Sequence, residues 1–235
     1  MITVLVTPAE LAGGRFELAG AEHHHLFRVR RLRAGARLRL VDGEGRARWA
    51  EVEAVGAASA TVRPGEPAPL LEPARRVALA VAPPRPERAA WLVEKATELG
   101  VAAIHLVGTE RDPRQLAPAG LARLRRVAAA ALMQSGGSRL PKIDGVHPFA
   151  ALAGIAAPFP MRAFLDPGAL PWEGFGAPEP LLLAIGPEGG WSDAERAALV
   201  AGGFRAAGLG PRLLRVETAA LAAVALALAP GLASR

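Results

Sequence analysis

The sequence predicts an α/β protein in two parts, a small N-terminal β-barrel and a larger domain with a mostly parallel sheet. Short apolar segments separated by glycine-containing turns fill residues 1–72, as is typical of a barrel. From residue 77 onwards, strand-like and helix-like segments alternate, which indicates a parallel sheet covered on both faces. Within residues 181–195 a glycine-rich loop joins a strand to a helix, and loops in this position bind ligands.

The composition excludes several kinds of function. The chain has 235 residues, 51% of them hydrophobic, and no cysteine, so we expect no disulfide and no cysteine-based zinc site. Residues 1–6 lack the features of a signal peptide, and the longest apolar stretch, residues 218–229, is too short to span a bilayer. We therefore expect a cytoplasmic protein that does not bind membranes.

Four short apolar segments predict the strands of the N-terminal barrel. They are Thr3–Val6, Arg37–Val41, Ala47–Val55 and Ser59–Val62. Residues 64–75 contain four prolines and are predicted to be a linker. The predicted domains are therefore residues 1–72 and residues 73–235.

The positive charge is concentrated in the N-terminal part. The formal net charge is +6, and six arginines fall within residues 28–39, with no acid between Glu22 and Asp42. Solvated faces usually mix charges, so this run favours an anionic partner, and we expect nucleic acid rather than a merely solvated face. Arginine suits this role because its planar fork can bond two phosphate oxygens.

Three adjacent histidines, His23–His25, precede the basic run. If they lie on a strand, neighbouring side chains point to opposite faces and cannot form one tetrahedral metal site. We expect no metal, and we interpret the histidines as an RNA contact or a cap on the barrel.

Strands and helices alternate in the second part. The predicted strands are Val77–Ala82, Val101–Val107, Met161–Leu165, Leu181–Ile185 and Phe204–Ala207. The predicted helices are Pro86–Leu99, residues 118–134, a helix that begins at Ser192 and Glu217–Ala229. Pro86 suits the first position of a helix, and Ser192 stands three residues before Glu195, the spacing of a capping box.

The loop Gly186–Gly190 follows a buried strand and precedes the capped helix. It lacks the Gly-x-Gly-x-x-Gly spacing of dinucleotide-binding loops. It also lacks the Gly-Lys-Ser or Gly-Lys-Thr of a phosphate-binding loop. The loop therefore favours a ligand without a pyrophosphate. A tight turn with no ligand is the alternative interpretation.

Two further segments carry candidate functional residues. Residues 209–219 form a second loop, with Gly210, that follows the next predicted strand. Residues 134–141 follow a helix and combine glycines with the donors of Gln134, Ser135, Ser138 and Arg139. This second segment is either a helix C-terminus with its usual glycine or a functional surface, and we favour the surface.

Taken together, these segments and residues 94–101 resemble the bacterial 16S ribosomal RNA uridine-N3 methyltransferases of the RsmE type. Residues 24–32 resemble the N-terminal signature of that family, and the motifs occur in the same order over nearly the whole chain. The resemblance implies a PUA-like RNA-binding β-barrel and a C-terminal SPOUT α/β domain with a trefoil knot. It also implies S-adenosylmethionine as cofactor, 16S rRNA or the small ribosomal subunit as partner, and a homodimer.

The resemblance assigns roles to particular residues. The cofactor would be bound, largely through backbone groups, by Leu165, Ile185, Gly186, Pro187, Gly189, Gly190, Leu209, Gly210, Leu213 and Leu214. The basic run and the polar segment after the helix supply the RNA-binding candidates, which are Arg28, Arg30, Arg31, Arg33, Gln134 and Arg139.

The reaction needs an aligned methyl group and loss of the proton on uracil N3. Glu217 or Glu188 is the candidate general base, and Arg215 is a candidate to stabilise the anionic ring. Glu217 has an alternative role, since an acid at the start of a helix is favoured by the helix dipole. The alternative functions are a knotted tRNA ribose 2′-O-methyltransferase and a non-catalytic RNA-binding protein.

Overall fold

A computed structural model describes residues 1–112, 116–172 and 179–229. Contacts within the chain divide it into two compact units. The N-terminal unit consists of Met1–Glu72 together with Leu132–Leu140, and the C-terminal unit contains the remaining residues. Each unit has its own sheet.

The N-terminal unit is built on a five-stranded sheet with the order β1-β3-β4-β5-β2. The strands are β1 Thr3–Leu5, β2 Phe16–Ala19, β3 Arg37–Val41, β4 Ala47–Val55 and β5 Ser59–Pro67. Strands β1 and β3 are parallel, and the other neighbours are antiparallel. Within the described residues the outer strands β1 and β2 do not pair, so the predicted barrel is a curled sheet that remains open between them.

Two helical segments of this unit were not predicted. Helix α1 spans Pro8–Ala12, and helix α2, Gly20–His23, continues as a π-helical turn over His24–Val29. The histidines therefore lie on a helix, and the assumption that they alternate along a strand was wrong. His23 is buried against the Phe27 ring, with 5.1 Å between ring centroids, whereas His24 and His25 are exposed.

The predicted linker was wrong at its start, because β5 continues to Pro67. Strand β2 pairs only with the first part of β5, as far as Val62. Pro64 and Pro67 pair with β4 on one side alone. A proline lacks an N–H to donate and is tolerated where one side of the strand has no partner.

The C-terminal unit contains a six-stranded, fully parallel sheet with the order β11-β9-β10-β6-β7-β8. Its strands are β6 Val77–Val81, β7 Ala103–Gly108, β8 Lys142–Pro148, β9 Met161–Leu165, β10 Leu181–Ile185 and β11 Arg205–Ala207. All five residues of β6 and of β10 are buried, as expected for central strands covered on both faces. Strand β8 was not predicted, because its polar and glycine residues carry no apolar pattern.

Among the described residues, five α-helices accompany the parallel sheet. They are α3 Pro86–Glu98, α4 Pro118–Ser135, α5 Leu152–Ala156, α6 Asp193–Ala201 and α7 Val216–Leu228. Helix α7 packs on α3 and on the central strands β6 and β10. No helix within the described ranges has the length and apolar character needed to cross a membrane. The trefoil knot stays a prediction.

Candidate active site

A cavity of about 130 Å³ lies beside the carboxyl ends of β9, β10 and β11. These three parallel strands are neighbours, so the loops that follow Leu165, Ile185 and Ala207 meet at one edge of the sheet. Nine of the ten predicted cofactor-binding residues line this cavity: Leu165, Ile185, Gly186, Pro187, Gly190, Leu209, Gly210, Leu213 and Leu214. The cavity thus brings together three loops that are separate in the sequence.

Gly189 is the predicted residue that does not line the cavity. Its carbonyl oxygen accepts a hydrogen bond from Arg111, and a Cβ at this position would meet the Arg111 side chain at 3.5 Å. That is an ordinary van der Waals distance, so a small side chain fits here. Gly189 therefore shapes the outer side of the loop.

At two other positions of the first loop, a side chain would be unfavourable. A Cβ at Gly186 would lie 2.9 Å from the Trp191 ring, closer than real Cβ contacts. Gly190 has a φ of 71°, and its N–H donates to the Pro187 carbonyl at 2.8 Å. Glycine is favoured at both positions, at the first for space and at the second for its backbone conformation.

Trp191 joins the loops that follow β9 and β10. Its ring is buried, and its Nε1–H donates to the Leu165 carbonyl at 3.2 Å. The predicted capping box is present directly after it: Ser192 Oγ accepts from the Glu195 N–H, and the Glu195 carboxylate accepts from the Ser192 N–H. These contacts fix the start of α6 against the cavity.

An ion pair between Asp166 and Arg196 contributes to the cavity wall, and the sequence did not predict it. The second loop leads into α7, whose residues Val216 and Ala219 also line the cavity. The Leu213 side chain, at the cavity rim, is 84% exposed.

The two candidate bases lie in a small cleft next to the cavity. Pro187, Glu188 and Val216 line both spaces, and Glu217 lines the cleft alone. Glu188 is 68% exposed, whereas the Glu217 side chain is only 9% exposed. The two glutamates therefore differ in their access to a substrate.

Arg88, on α3, connects the two glutamates. Its Nη1 lies 3.0 Å from Glu188 Oε1, and its Nε lies 3.6 Å from Glu217 Oε1. The sequence did not point to Arg88, because it is 100 residues from Glu188 and belongs to no glycine loop. Arg215, which was predicted to stabilise the ring, is exposed at the start of α7 and lines neither space.

The predicted RNA-binding residues all belong to the N-terminal unit. Arg28, Arg30, Arg31 and Arg33 are exposed, and within the described ranges none of them forms an ion pair with an acid. Arg31 has a φ of 57°, a conformation uncommon for a residue with a Cβ.

The remaining arginines of the basic run have structural contacts. Arg37 pairs with Glu66 at 2.9 Å and stacks on the Trp49 ring. Arg39 is buried and donates to the carbonyls of Gly136 and Pro69. Burial lowers the pKa of Arg39, although the Glu72 carboxylate acts in the opposite direction. Arg37 and Arg39, which were not among the predicted RNA-binding residues, therefore have their side chains engaged within the N-terminal unit.

The segment after α4 is divided between surface and core. Gln134 and Arg139 are exposed. Ser138 is fully buried, and both its N–H and its hydroxyl donate to Glu72 Oε1, at 2.6 and 2.8 Å. Ser138 therefore has a structural role, and its donors are already used.

Comparisons with known proteins agree with this arrangement. A family model described as an RNA methyltransferase domain matches residues 71–228, and one described as an RNA methyltransferase PUA domain matches residues 18–64. A protein from Synechocystis sp. called ribosomal RNA small subunit methyltransferase E is 31% identical over 240 residues, 94% of this chain and 75% of the relative. The chain belongs to the ribosomal RNA small subunit methyltransferase E family.

Other members of this family are also similar to the chain in sequence or in structure. One from Treponema pallidum is 35% identical over 161 residues, which covers 62% of this chain and 59% of the relative. The crystal structure of one from Neisseria gonorrhoeae, bound to S-adenosyl methionine, has a TM-score of 0.81 and 26% identity, with 96% of this chain and 95% of that chain covered. The resemblance seen in the sequence is confirmed, as is an N-terminal PUA domain followed by an α/β domain.

Proposed function

We propose that this protein transfers a methyl group from S-adenosylmethionine to N3 of a uridine in 16S ribosomal RNA. The observation that carries the proposal is the cavity at the ends of β9, β10 and β11, within a chain of the ribosomal RNA small subunit methyltransferase E family. The Neisseria gonorrhoeae relative was crystallised with S-adenosyl methionine, and its fold is superimposable on this chain with a TM-score of 0.81.

The cavity suits a cofactor held mainly by backbone and apolar groups. Gly186, Gly190 and Gly210 allow the backbone to approach closely, and Leu165, Leu209 and Leu214 supply apolar surface. When bound, S-adenosylmethionine supplies a methyl group already activated by its sulfonium. The protein then has to orient the acceptor and exclude water, and the reaction needs no metal.

The cleft beside the cavity is the proposed place for the uracil ring. Glu188 is the favoured base for the N3 proton, because it is exposed and lines both the cavity and the cleft. Arg88 is placed to stabilise the negative charge that develops on the ring. Glu217, buried 3.6 Å from Arg88, orients that guanidinium. Arg88 thus replaces Arg215 in this proposal.

RNA binding is assigned to the N-terminal unit, Met1–Glu72 with Leu132–Leu140, and methyl transfer to the C-terminal unit. Arg28, Arg30, Arg31 and Arg33 provide four exposed positive charges for phosphates, and Gln134 and Arg139 add polar contacts. The small ribosomal subunit, or its free 16S rRNA, is the proposed partner, and the cytoplasm is the proposed location.

We also propose that the active form is a homodimer. Leu213, Leu214 and Leu226 are exposed apolar side chains on α7 and on the loop before it. Leu213 and Leu214 also line the cofactor cavity, so a second copy covering them would complete its wall.

Nucleoside mass spectrometry of 16S rRNA, from cells with and without the gene, tests the proposal. We expect one N3-methyluridine that disappears when the gene is deleted and returns with the wild-type chain. A missing ribose 2′-O-methyl group would instead support the ribose methyltransferase alternative. An unchanged rRNA, with binding of 16S rRNA retained, would support a non-catalytic RNA-binding protein.

A further inference from the structure

Three side chains that commonly bind metals lie together at the edge of the parallel sheet. His105 on β7 has its Nδ1 3.2 Å from Asp144 Oδ1, and His147 on β8 has its Nε2 3.3 Å from the same oxygen. One ligand atom from each residue lies within 4.8 Å of the other two. The cluster plays no part in the methyl transfer described above.

A β-bulge in β8 makes this cluster possible. Ile104 pairs with Ile143 and Leu106 with Val146, so His105 faces two residues, Asp144 and Gly145. In a regular strand, residues three apart point to opposite faces. The extra residue places Asp144 and His147 on the same face, beside His105. Bulges often re-aim a side chain in this way.

The surroundings of the cluster are largely apolar. His105 is buried between Ala103 and Val107 on β7, two residues of the hydrophobic core that also contains Leu152. His147 pairs with Val107 across the strands. Two cations lie nearby. Lys142 Nζ is 3.7 Å from Asp144 Oδ2, but its side chain is 74% exposed and can move away. The Arg125 guanidinium donates to the Ile143 carbonyl.

One atom of the cluster has no well-aligned partner among the described residues. The Nε2 of His147 is buried and makes no hydrogen bond to them, although it lies 3.3 Å from Asp144 Oδ1. A buried polar nitrogen without a partner destabilises the folded chain. A bound cation would satisfy it.

We propose that His105, Asp144 and His147 bind one Zn²⁺ ion, with water as the fourth ligand. Zinc bonds of about 2.0–2.1 Å in a tetrahedron place neighbouring ligand atoms about 3.3 Å apart. The two distances to Asp144 Oδ1, 3.2 and 3.3 Å, match this spacing. Two nitrogens and one carboxylate oxygen are a ligand set that zinc accepts.

The ion has a structural role in this proposal. Strands β7 and β8 lie at one side of the sheet, and β9 and β11 lie at the other, beside the cofactor cavity. The ion therefore joins the edge strand β8 to the sheet, far from the methyl acceptor. This revises the expectation of no metal for the protein, while the methyl transfer still needs none.

Zinc titration of the metal-free, tag-free protein by calorimetry tests the site. We expect one ion per chain and an increase in melting temperature with zinc concentration. His147→Gln and Asp144→Asn should each weaken zinc binding at least tenfold, since removing a ligand costs at least as much as removing a residue that only orients one. With Co²⁺ as probe, the wild type should show the visible absorption of a tetrahedral site, and both variants should lose it.

The double variant His24→Gln/His25→Gln is the matched control, because it removes the two exposed histidines of the N-terminal run. It should bind zinc as the wild type does, and circular dichroism verifies that each variant is folded. The proposal is overturned if the wild type shows no saturable binding. It is equally overturned if His147→Gln, with its fold intact, binds zinc with unchanged affinity. In either case the three residues form a hydrogen-bonded network without an ion.

Discussion

The Trp191 indole donates a hydrogen bond to the Leu165 carbonyl over 3.2 Å. This bond joins the ends of two neighbouring parallel strands, β9 and β10, across the wall of the candidate cofactor cavity. The buried ring also lies under Gly186, where a Cβ would be only 2.9 Å from it. The cavity wall is therefore formed before any ligand binds, which reduces the entropy cost of binding.

Filling this cavity should prevent cofactor binding. Ala219 lines the cavity at the start of α7, so Ala219→Phe places a ring in the space. We expect the affinity for S-adenosylmethionine, measured by calorimetry, to fall at least 100-fold. Ala197→Phe, on the exposed face of α6, is the matched control and should bind normally. Equal affinities for the two variants would contradict the placement.

The two glutamates near Arg88 should be separable by kinetics. Glu188→Gln should lower kcat about 10²-fold or more, as loss of a general base does, with little change in cofactor affinity. Glu217→Gln should weaken the contact that orients Arg88. We therefore expect a smaller loss of kcat than for Glu188→Gln, together with a lower melting temperature. Glu94→Gln, which removes an exposed partner of Lys95, is the control. A full loss of kcat in Glu217→Gln alone would assign the base to Glu217.

The exposed arginines should determine the salt dependence of RNA binding. The double variant Arg28→Ala/Arg30→Ala should decrease the slope of log K against log salt by about 1.4–1.8, since two phosphate contacts are lost. The affinity for the cofactor should stay the same. Arg63→Ala is the comparison, because Arg63 already pairs with Glu51 and Glu53. If both proteins show the wild-type slope, the four arginines are only a solvated surface.

The proposed dimer should depend on exposed residues of α7. Val224, although apolar, is buried within one protomer, so Val224→Arg would unfold the chain and is unsuitable as a test. Leu226→Arg changes an exposed side chain and should give folded monomers with little activity. Light scattering measures the mass, and Leu70→Arg in the N-terminal unit is the control. A wild type that is fully active as a monomer would refute the dimer.

Protonation of the Asp42 carboxylate should make the N-terminal unit less stable in acid. Its buried carboxylate pairs with Arg46 and accepts from the Glu44 and Arg46 N–H groups. Burial raises its pKa, but these hydrogen bonds and the Arg46 charge outweigh burial and lower it. The stabilisation is therefore present above the unfolded pKa of about 3.9 and is lost as pH falls through the lower folded pKa.

Asp42→Asn should accordingly lower the free energy of unfolding by about 1–2 kcal/mol at pH 7. The difference from the wild type should shrink below about pH 4, where the wild-type carboxylate begins to take up protons. Denaturant unfolding curves of both proteins, at pH 7 and below pH 4, measure this difference in the free energy of unfolding. Glu44→Gln, which removes an exposed partner of Arg46, should cost no more than about 0.5 kcal/mol at either pH.

Features that depend on neighbouring residues were predictable from the sequence. Strand β10 is a continuous apolar segment, and the capping box of Ser192 and Glu195 depends on a spacing of three residues. Several short motifs in order, from residues 24–32 to residues 209–219, indicated the family, and the resemblance placed nine residues of the cavity wall. Such features are local because their hydrogen bonds and dihedral preferences are satisfied within one segment.

Features that depend on distant residues were decided only by the tertiary structure. Arg88 reaches Glu188 and Glu217 because α3 and α7 pack together, and Arg39 is buried because its guanidinium meets the Gly136 carbonyl, 97 residues later. The bulge that aligns Asp144 with His147 follows from the pairing of β8 with β7. No local pattern encodes these contacts. Strand register and helix packing are set by the free energy of the whole unit, and a single segment contributes only some of the interactions that determine it.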